Sequence, residues 1–237
     1  MKELEDYKWF PEFLRSEQAE FIGQMATKSG IYLPLINLLQ SSDKLPNSLF
    51  DLCAGSGIPG RYIFNTSRCF DSLTLSDLFP ARLKSEPNIQ YLTESTDVLN
   101  MTFSNDHCYI MLNAFHHFNC TSQNTILKNC EAANARLFVV EILEPGIICF
   151  LKILLTGTLG VLLFTPFICK MTWKKLLFTY LIPLNSLTIT IDGLISVLKS
   201  KSIAQYKKQL TGFKNIEITR MKTLAGPSII IQLEHAN

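Results

Sequence analysis

Three aspartates and a glycine-rich turn carry the clearest chemistry in this chain. In FDLCAGSGIPGRYIF, Gly55, Gly57 and Gly60 match G-x-G-x-x-G. The missing Cβ atoms let backbone pass close to a ligand, and Pro59 suits the first turn of the helix that follows. Alone, such glycines could do no more than turn a strand tightly into a helix. Asp51 stands four residues before Gly55. A buried strand-end carboxylate facing this loop suits a ligand that carries an ammonium and a sulfonium; a pyrophosphate would prefer the bare helix N-terminus. Asp77, 22 residues after Gly55 at the end of LTLSD, is placed to accept hydrogen bonds from two ribose hydroxyls, or to cap a helix over LFPARLK. Asp97, in YLTESTDVLN, can accept from the amino group of adenine while the Val98 amide meets a ring nitrogen, or can form a turn. The flanking Cys53, Ala54 and Leu78 complete this candidate cofactor wall.

A second group sits in NAFHHF. Asn113 and Phe115 are expected to line the cofactor, and His116 or His117 is the candidate general base, because imidazole titrates near neutrality. The alternative has one histidine capping the next helix and the other packing on Phe118. Glu141, ending RLFVVE, either faces the acceptor pocket or, the favoured reading, pairs with a nearby lysine. The seven cysteines form no C-x-x-C pair and no short Cys/His spacing, so neither a metal site nor a disulfide framework is expected.

The elements that position these groups follow from the hydrophobic pattern. Residues 12 to 40 read as helix, with Phe13, Leu14, Phe21, Ile22 and Met25 on one stripe. From residue 47 the runs SLFDLCA, SLTLSD, IQYLTE, CYIMLNAF and RLFVVEIL alternate with polar helical segments, which implies parallel strands joined by crossovers. IEITRM and SIIIQLEH are joined by a Gly-Pro connection too short for a helix, so they must pair antiparallel. The expected divisions are a helical cap over 1–46, a cofactor-binding core over 47–145, a hydrophobic helical insertion or lid over 146–205, and a helix end with a β-hairpin over 206–237, all within one domain.

Together these motifs make the sequence resemble the class I S-adenosylmethionine-dependent methyltransferases. The resemblance implies an α/β, Rossmann-like fold: a mostly parallel seven-stranded sheet with an antiparallel last strand. SDLFPARL, ESTDVLNM, IMLNAFHHF, LFVVEI and WKKLLFTYLIPLNSLTITIDGLISVLKSKS narrow it to a bacterial branch in which TY-x-x-P and DG-x-x-S segments follow the fifth strand. Where that branch implies an arginine and an aromatic residue after DG-x-x-S, this chain has Lys199 and Lys201. The implied cofactor is S-adenosyl-L-methionine, and the implied reaction is methyl transfer to a small acceptor. A noncatalytic protein retaining the fold is the competing class, and a nicotinamide-dependent reductase is opposed by Asp51 and the terminal hairpin.

The segment GIICFLKILLTGTLGVLLFTPFIC is oily enough to raise the question of a membrane. Between Lys152 and Lys170 lie 17 uncharged residues, and between Lys175 and Asp192 another 16. Both fall short of the roughly 20 that a spanning helix needs, and both contain Pro or Gly expected to break them. A hairpin would also place Lys170, Lys174 and Lys175 on the far side, against the positive-inside tendency. Two readings stay open. The segment lies on a lipid interface with Trp173, Tyr180 and the lysines at headgroup level, or it forms a lid or homodimer surface. Net charge +2 gives no field for gathering nucleic acid. The charged, aromatic N-terminus is not a signal peptide, and reduced cysteines fit a cytoplasmic protein, peripheral on the inner membrane face if the lipid reading holds.

Overall fold

The computed structural model describes residues 1–81, 86–223 and 226–234. The apolar runs form β1 (Ser48–Leu52), β2 (Ser72–Ser76), β3 (Ile89–Tyr91), β4 (His107–Leu112), β5 (Arg136–Glu141), β6 (Ile216–Thr223) and β7 (Gly226–Leu233). They make one sheet in the order β3-β2-β1-β4-β5-β7-β6. β1 to β5 pair in parallel, and β7 runs antiparallel between β5 and β6. The expected sheet, with its antiparallel last strand, is therefore the one formed.

Alternate residues of the strands feed two cores. One side packs Leu49, Leu73, Ile110 and Phe138 under α2 (Leu33–Ser41) and α3 (Ile58–Ser67). The other packs Tyr109, Met111, Leu137 and Ile231 under α4 (Cys120–Ala132) and Tyr206 of α9 (Ile203–Gln209). Each fully buried side chain of this kind contributes about 1.5–3 kcal/mol. The central strands are covered on both faces, which is why they read as continuous apolar runs. Helix α1 (Glu12–Lys28) forms the cap with α2.

The insertion departs from expectation. Gly157, Gly160 and Pro166 do not break it: α5 (Ile147–Leu155) runs through a π-helical turn, Thr156–Gly160, into α6 (Val161–Ile168). The result is one 22-residue helix of mean hydropathy 2.4. Two contacts made by later residues explain the continuity. Pro166 has no N–H to give to the carbonyl of Leu162, and the Tyr180 hydroxyl donates to that carbonyl at 2.9 Å. Gly157 lets a neighbouring helix come close: a Cβ there would lie 2.8 Å from Thr190 Cα, and the Ser186 hydroxyl donates to the Gly157 carbonyl at 2.8 Å. Both partners belong to the second half of the insertion, α7 (Trp173–Leu176) with its π turn Leu177–Leu181, and α8 (Leu184–Lys199), which bends away by 70°.

Lys175, expected at headgroup level, is instead buried and holds Glu20 at 2.7 Å and Glu17 at 3.1 Å, fastening α7 to α1. By length and composition one helix could cross a membrane, or two segments if the bent pair counts as one. Its outer face is bare, with only 17% of the most apolar stretch buried.

Candidate functional site

The site lies where the strand order reverses, between β1 and β4, at their carboxyl ends. Such a switch point opens a crevice in α/β sheets. Here both central strands end on a residue in the left-handed region, Cys53 (φ 57°) after β1 and Asn113 (φ 53°) after β4. Left-handed backbone costs a non-glycine residue about 1–2 kcal/mol, and such strain concentrates at functional sites. Gly55 (φ 53°) and Gly57 (φ 67°) complete the turn into α3. Tyr91 pins the turn by donating its hydroxyl to the Gly55 carbonyl at 2.7 Å.

Asp51 is 1% exposed, and its Oδ1 has no hydrogen-bond partner among the described residues. Burial and the neighbouring Asp77 push its carboxyl well above the ordinary range. Its other oxygen sits against Gly60, where any Cβ would collide with it. An orphaned buried acceptor at this depth is costly unless a donor meets it, and an ammonium is such a donor.

Asp77 accepts the Gly55 N–H at 2.8 Å with one oxygen and the Phe79 N–H at 2.8 Å with the other. The second bond is a local turn rather than a helix cap; the 82–84 part of the run it was expected to cap lies outside the described residues, as do residues 224 and 225 of the hairpin connection. Each carboxylate oxygen keeps a second lone pair. Asp97 accepts from Leu99 N–H at 3.0 Å and Asn100 Nδ2 at 2.7 Å, the turn-forming geometry. Its neighbour Val98 is buried, while Leu78 is exposed and Ala54 buried. The carboxylates converge on Cys53. Its thiol is pushed well up by burial, then by Asp77, Asp51, Asp97 and Asp6.

Asn113, at the end of β4, has a buried Oδ1 with no hydrogen-bond partner among the described residues. Phe115 is fully buried in the core, its ring 6.2 Å from the ring of Tyr206. The sequence pattern could not separate a ring at the crevice from one turned inward, because the 3₁₀ turn Phe115–His117 changes side-chain direction at each residue.

Neither histidine caps the following helix. Asn119, not a histidine, caps α4 by accepting the Ser122 N–H. Glu141, fully buried, accepts the Phe115 N–H at 2.8 Å and faces His116 Nδ1 at 2.7 Å, so its partner is a histidine and not a lysine. His117 Nδ1 lies 3.0 Å from Asp6 and its Nε2 3.4 Å from Glu3. Burial opposes its charge, but Asp6, Glu3 and Glu5 raise its pKa to about 9. His117 thus holds its proton more firmly than an ordinary imidazole.

Glu3, Asp6 and Tyr91 were not visible as site residues. A terminal acid has no spacing to distinguish it, and Tyr91 reads as a strand aromatic. The Asp of DG-x-x-S is structural. Asp192 accepts the N–H groups of Leu4 at 2.6 Å and Glu5 at 3.2 Å, and Gln18 Nε2 at 2.7 Å. It thereby clamps the N-terminal segment beside the crevice. Lys199, standing where an arginine was implied, meets Glu3 at 2.9 Å.

No family model and no curated protein matches the chain. Solved structures do. Human N-acetylserotonin methyltransferase in complex with SAM superposes with a TM-score of 0.52 at 12% identity, covering 92% of this chain and 57% of that one. The plantazolicin methyltransferase BpumL, in complex with a monoazolic desmethyl analogue and SAH, gives 0.52 at 10% identity, covering 95% of this chain and 97% of that one. PigF with SAH gives 0.51 at 18% identity, covering 92% and 58%. The chain thus spans under two thirds of the human enzyme and of PigF, and nearly all of BpumL. These likenesses, with the strand order above, show that the chain has the Rossmann-like class I methyltransferase fold.

Proposed function

We propose that the chain transfers a methyl group from S-adenosylmethionine to a small, apolar or lipid-like acceptor at the carboxyl edge of its sheet. The observation that carries this reading is the buried, unpartnered carboxylate oxygen of Asp51 beside the left-handed turn and Asp77. In it, Asp51 takes the ammonium of the cofactor, Asp77 the ribose hydroxyls, and Asp97 with the Val98 amide the adenine edge. Cys53, Ala54, Gly55, Gly57, Leu78 and Asn113 wall the crevice. The bound cofactor supplies an electrophilic methyl group on sulfur. The chain's part is to hold the acceptor atom in line behind that methyl and exclude water, which can supply most of the acceleration. No proton transfer is assigned to His116 or His117 in this reading.

Titration calorimetry of the full chain with S-adenosylmethionine should show one site per chain, and labelled cofactor incubated with crude lipid should yield a methylated product. An absence of binding heat sinks the reading and favours a noncatalytic protein that retains the fold.

The bare face of the insertion supports a peripheral contact with the cytoplasmic side of a membrane. Leu155, Leu159, Leu163 and Phe167 project from it, Phe167 with 82% of its surface exposed. Trp173, Tyr180, Lys170 and Lys174 stand at its end, residue types that settle at headgroup level. The intact chain should float with anionic liposomes, and the double variant Leu163→Glu, Phe167→Glu should not. An intact chain that stays unbound and sediments as a dimer instead assigns this face to a second copy.

A further inference from the structure

We propose that Glu3, His116 and His117 form a binding site for a divalent cation of the zinc class, joining the N-terminal segment to the turn after β4. The three residues each offer a ligand atom, and these atoms lie within 4.8 Å of one another. Glu3 Oε2 is 3.4 Å from His117 Nε2, and Glu3 Oε1 is 3.9 Å from His116 Nε2. Ligand atoms around a tetrahedral zinc at about 2.0–2.1 Å are separated by about 3.3 Å. Closing the cluster on one ion therefore requires His116 to move inward.

The surroundings are those a metal site needs. Both rings are held from behind by carboxylates, His116 Nδ1 by Glu141 at 2.7 Å and His117 Nδ1 by Asp6 at 3.0 Å. This carboxylate–histidine arrangement fixes the tautomer that turns the Nε2 lone pair outward and raises its basicity. His116 is 3% exposed, and its Nε2 is buried without a hydrogen-bond partner among the described residues while directed at Glu3. A buried imidazole nitrogen left unpaired is costly, and a metal ion would satisfy it.

The charge balance points the same way. Five carboxylates, Glu3, Glu5, Asp6, Glu141 and Asp192, are gathered around this point. Facing them are Lys199, on Glu3 Oε1 and near Asp6, and His117. A dication offsets this excess of negative charge, and Lys199 can remain on Oε1 because Oε2 is the oxygen nearest His117. Two imidazoles and one carboxylate leave a fourth position open, as in catalytic rather than structural zinc sites.

The site does not depend on the methyl-transfer reading and is tested without it. The full chain, stripped with chelator and titrated with cobalt(II) at pH 8, should develop visible d–d bands of a tetrahedral site at about one equivalent, without the thiolate charge-transfer band that cysteine ligation gives. Zinc should displace the cobalt and raise the melting temperature. Glu3→Gln, which removes one ligand oxygen at the start of the chain, should weaken cobalt binding at least about tenfold. His117→Asn should do the same, so the test does not rest on one variant folding. A parent that binds no cobalt and melts unchanged with zinc shows that a proton alone occupies the cluster and overturns the proposal. So does binding that both variants retain.

Discussion

Replacing Asp77 by alanine is expected to weaken binding of S-adenosylmethionine about a hundredfold or more, as read by calorimetry. Hydrogen bonds to a charged group contribute about 1.5–3 kcal/mol each, and two ribose hydroxyls on one carboxylate would be lost together. A second effect adds to the first. Asp77 also anchors the Gly55 and Phe79 N–H groups, so alanine releases the backbone of the glycine turn from the end of β2. Asp77→Asn separates the two contributions. Its amide keeps one acceptor oxygen for the turn or the ligand but removes the charge, and its affinity should fall between parent and alanine variant. Unchanged far-UV circular dichroism and a melting temperature close to the parent's are needed for the comparison. Equal affinities for all three chains would mean that Asp77 serves only the turn, as its two backbone bonds alone would permit.

How far the sequence discloses this site depends on the kind of signal. The sheet is legible because its strands are continuous apolar runs separated by crossovers, and the Gly-Pro connection leaves the last pair no choice but to run antiparallel. Asp51 and the glycines are legible because spacing and backbone geometry are local. What fails is tertiary. Nothing local shows that Phe115 turns inward toward Tyr206, or that Glu141 meets a histidine across the β4–β5 edge. The histidines read as a base because isolated imidazole titrates near neutrality, yet three acids from the first six residues decide the charge of His117. The insertion misleads for the same reason. Pro166 signals a break only if no other donor reaches Leu162, and Tyr180, many residues later, supplies one. In each case a partner distant in sequence overrides a local rule.

Affinity for S-adenosylmethionine is expected to rise with pH, by up to tenfold per pH unit while Asp51 remains protonated in the free protein. The sign follows from the direction of its shift. Burial, then the nearby Asp77, raises the Asp51 carboxyl well above its ordinary value, so over a range above that ordinary value the free folded protein carries a proton there. A bound ammonium favours the carboxylate and expels that proton, so binding releases a proton and is favoured as the pH rises. Stability of the free protein has the opposite sign. Across that range the native state holds more protons at this position than the unfolded chain, so its contribution falls as the pH rises from near the unfolded value, and the full penalty is present once the pH exceeds the folded pKa. Asp51→Asn removes the titrating group and should flatten the binding profile at low affinity. It should also melt no lower than the parent at pH 8, because it removes the burial cost of a carboxylate. Gly60→Ala reaches the same carboxylate from the other side: its Cβ would collide with the Asp51 oxygen, so it should lose affinity while Asp51 itself remains, with a stability cost of about 1–3 kcal/mol for overpacking. A parent whose affinity does not vary at any pH above the ordinary carboxylate range would place the ammonium elsewhere, since an ion pair with a carboxylate raised by burial must be linked to its proton.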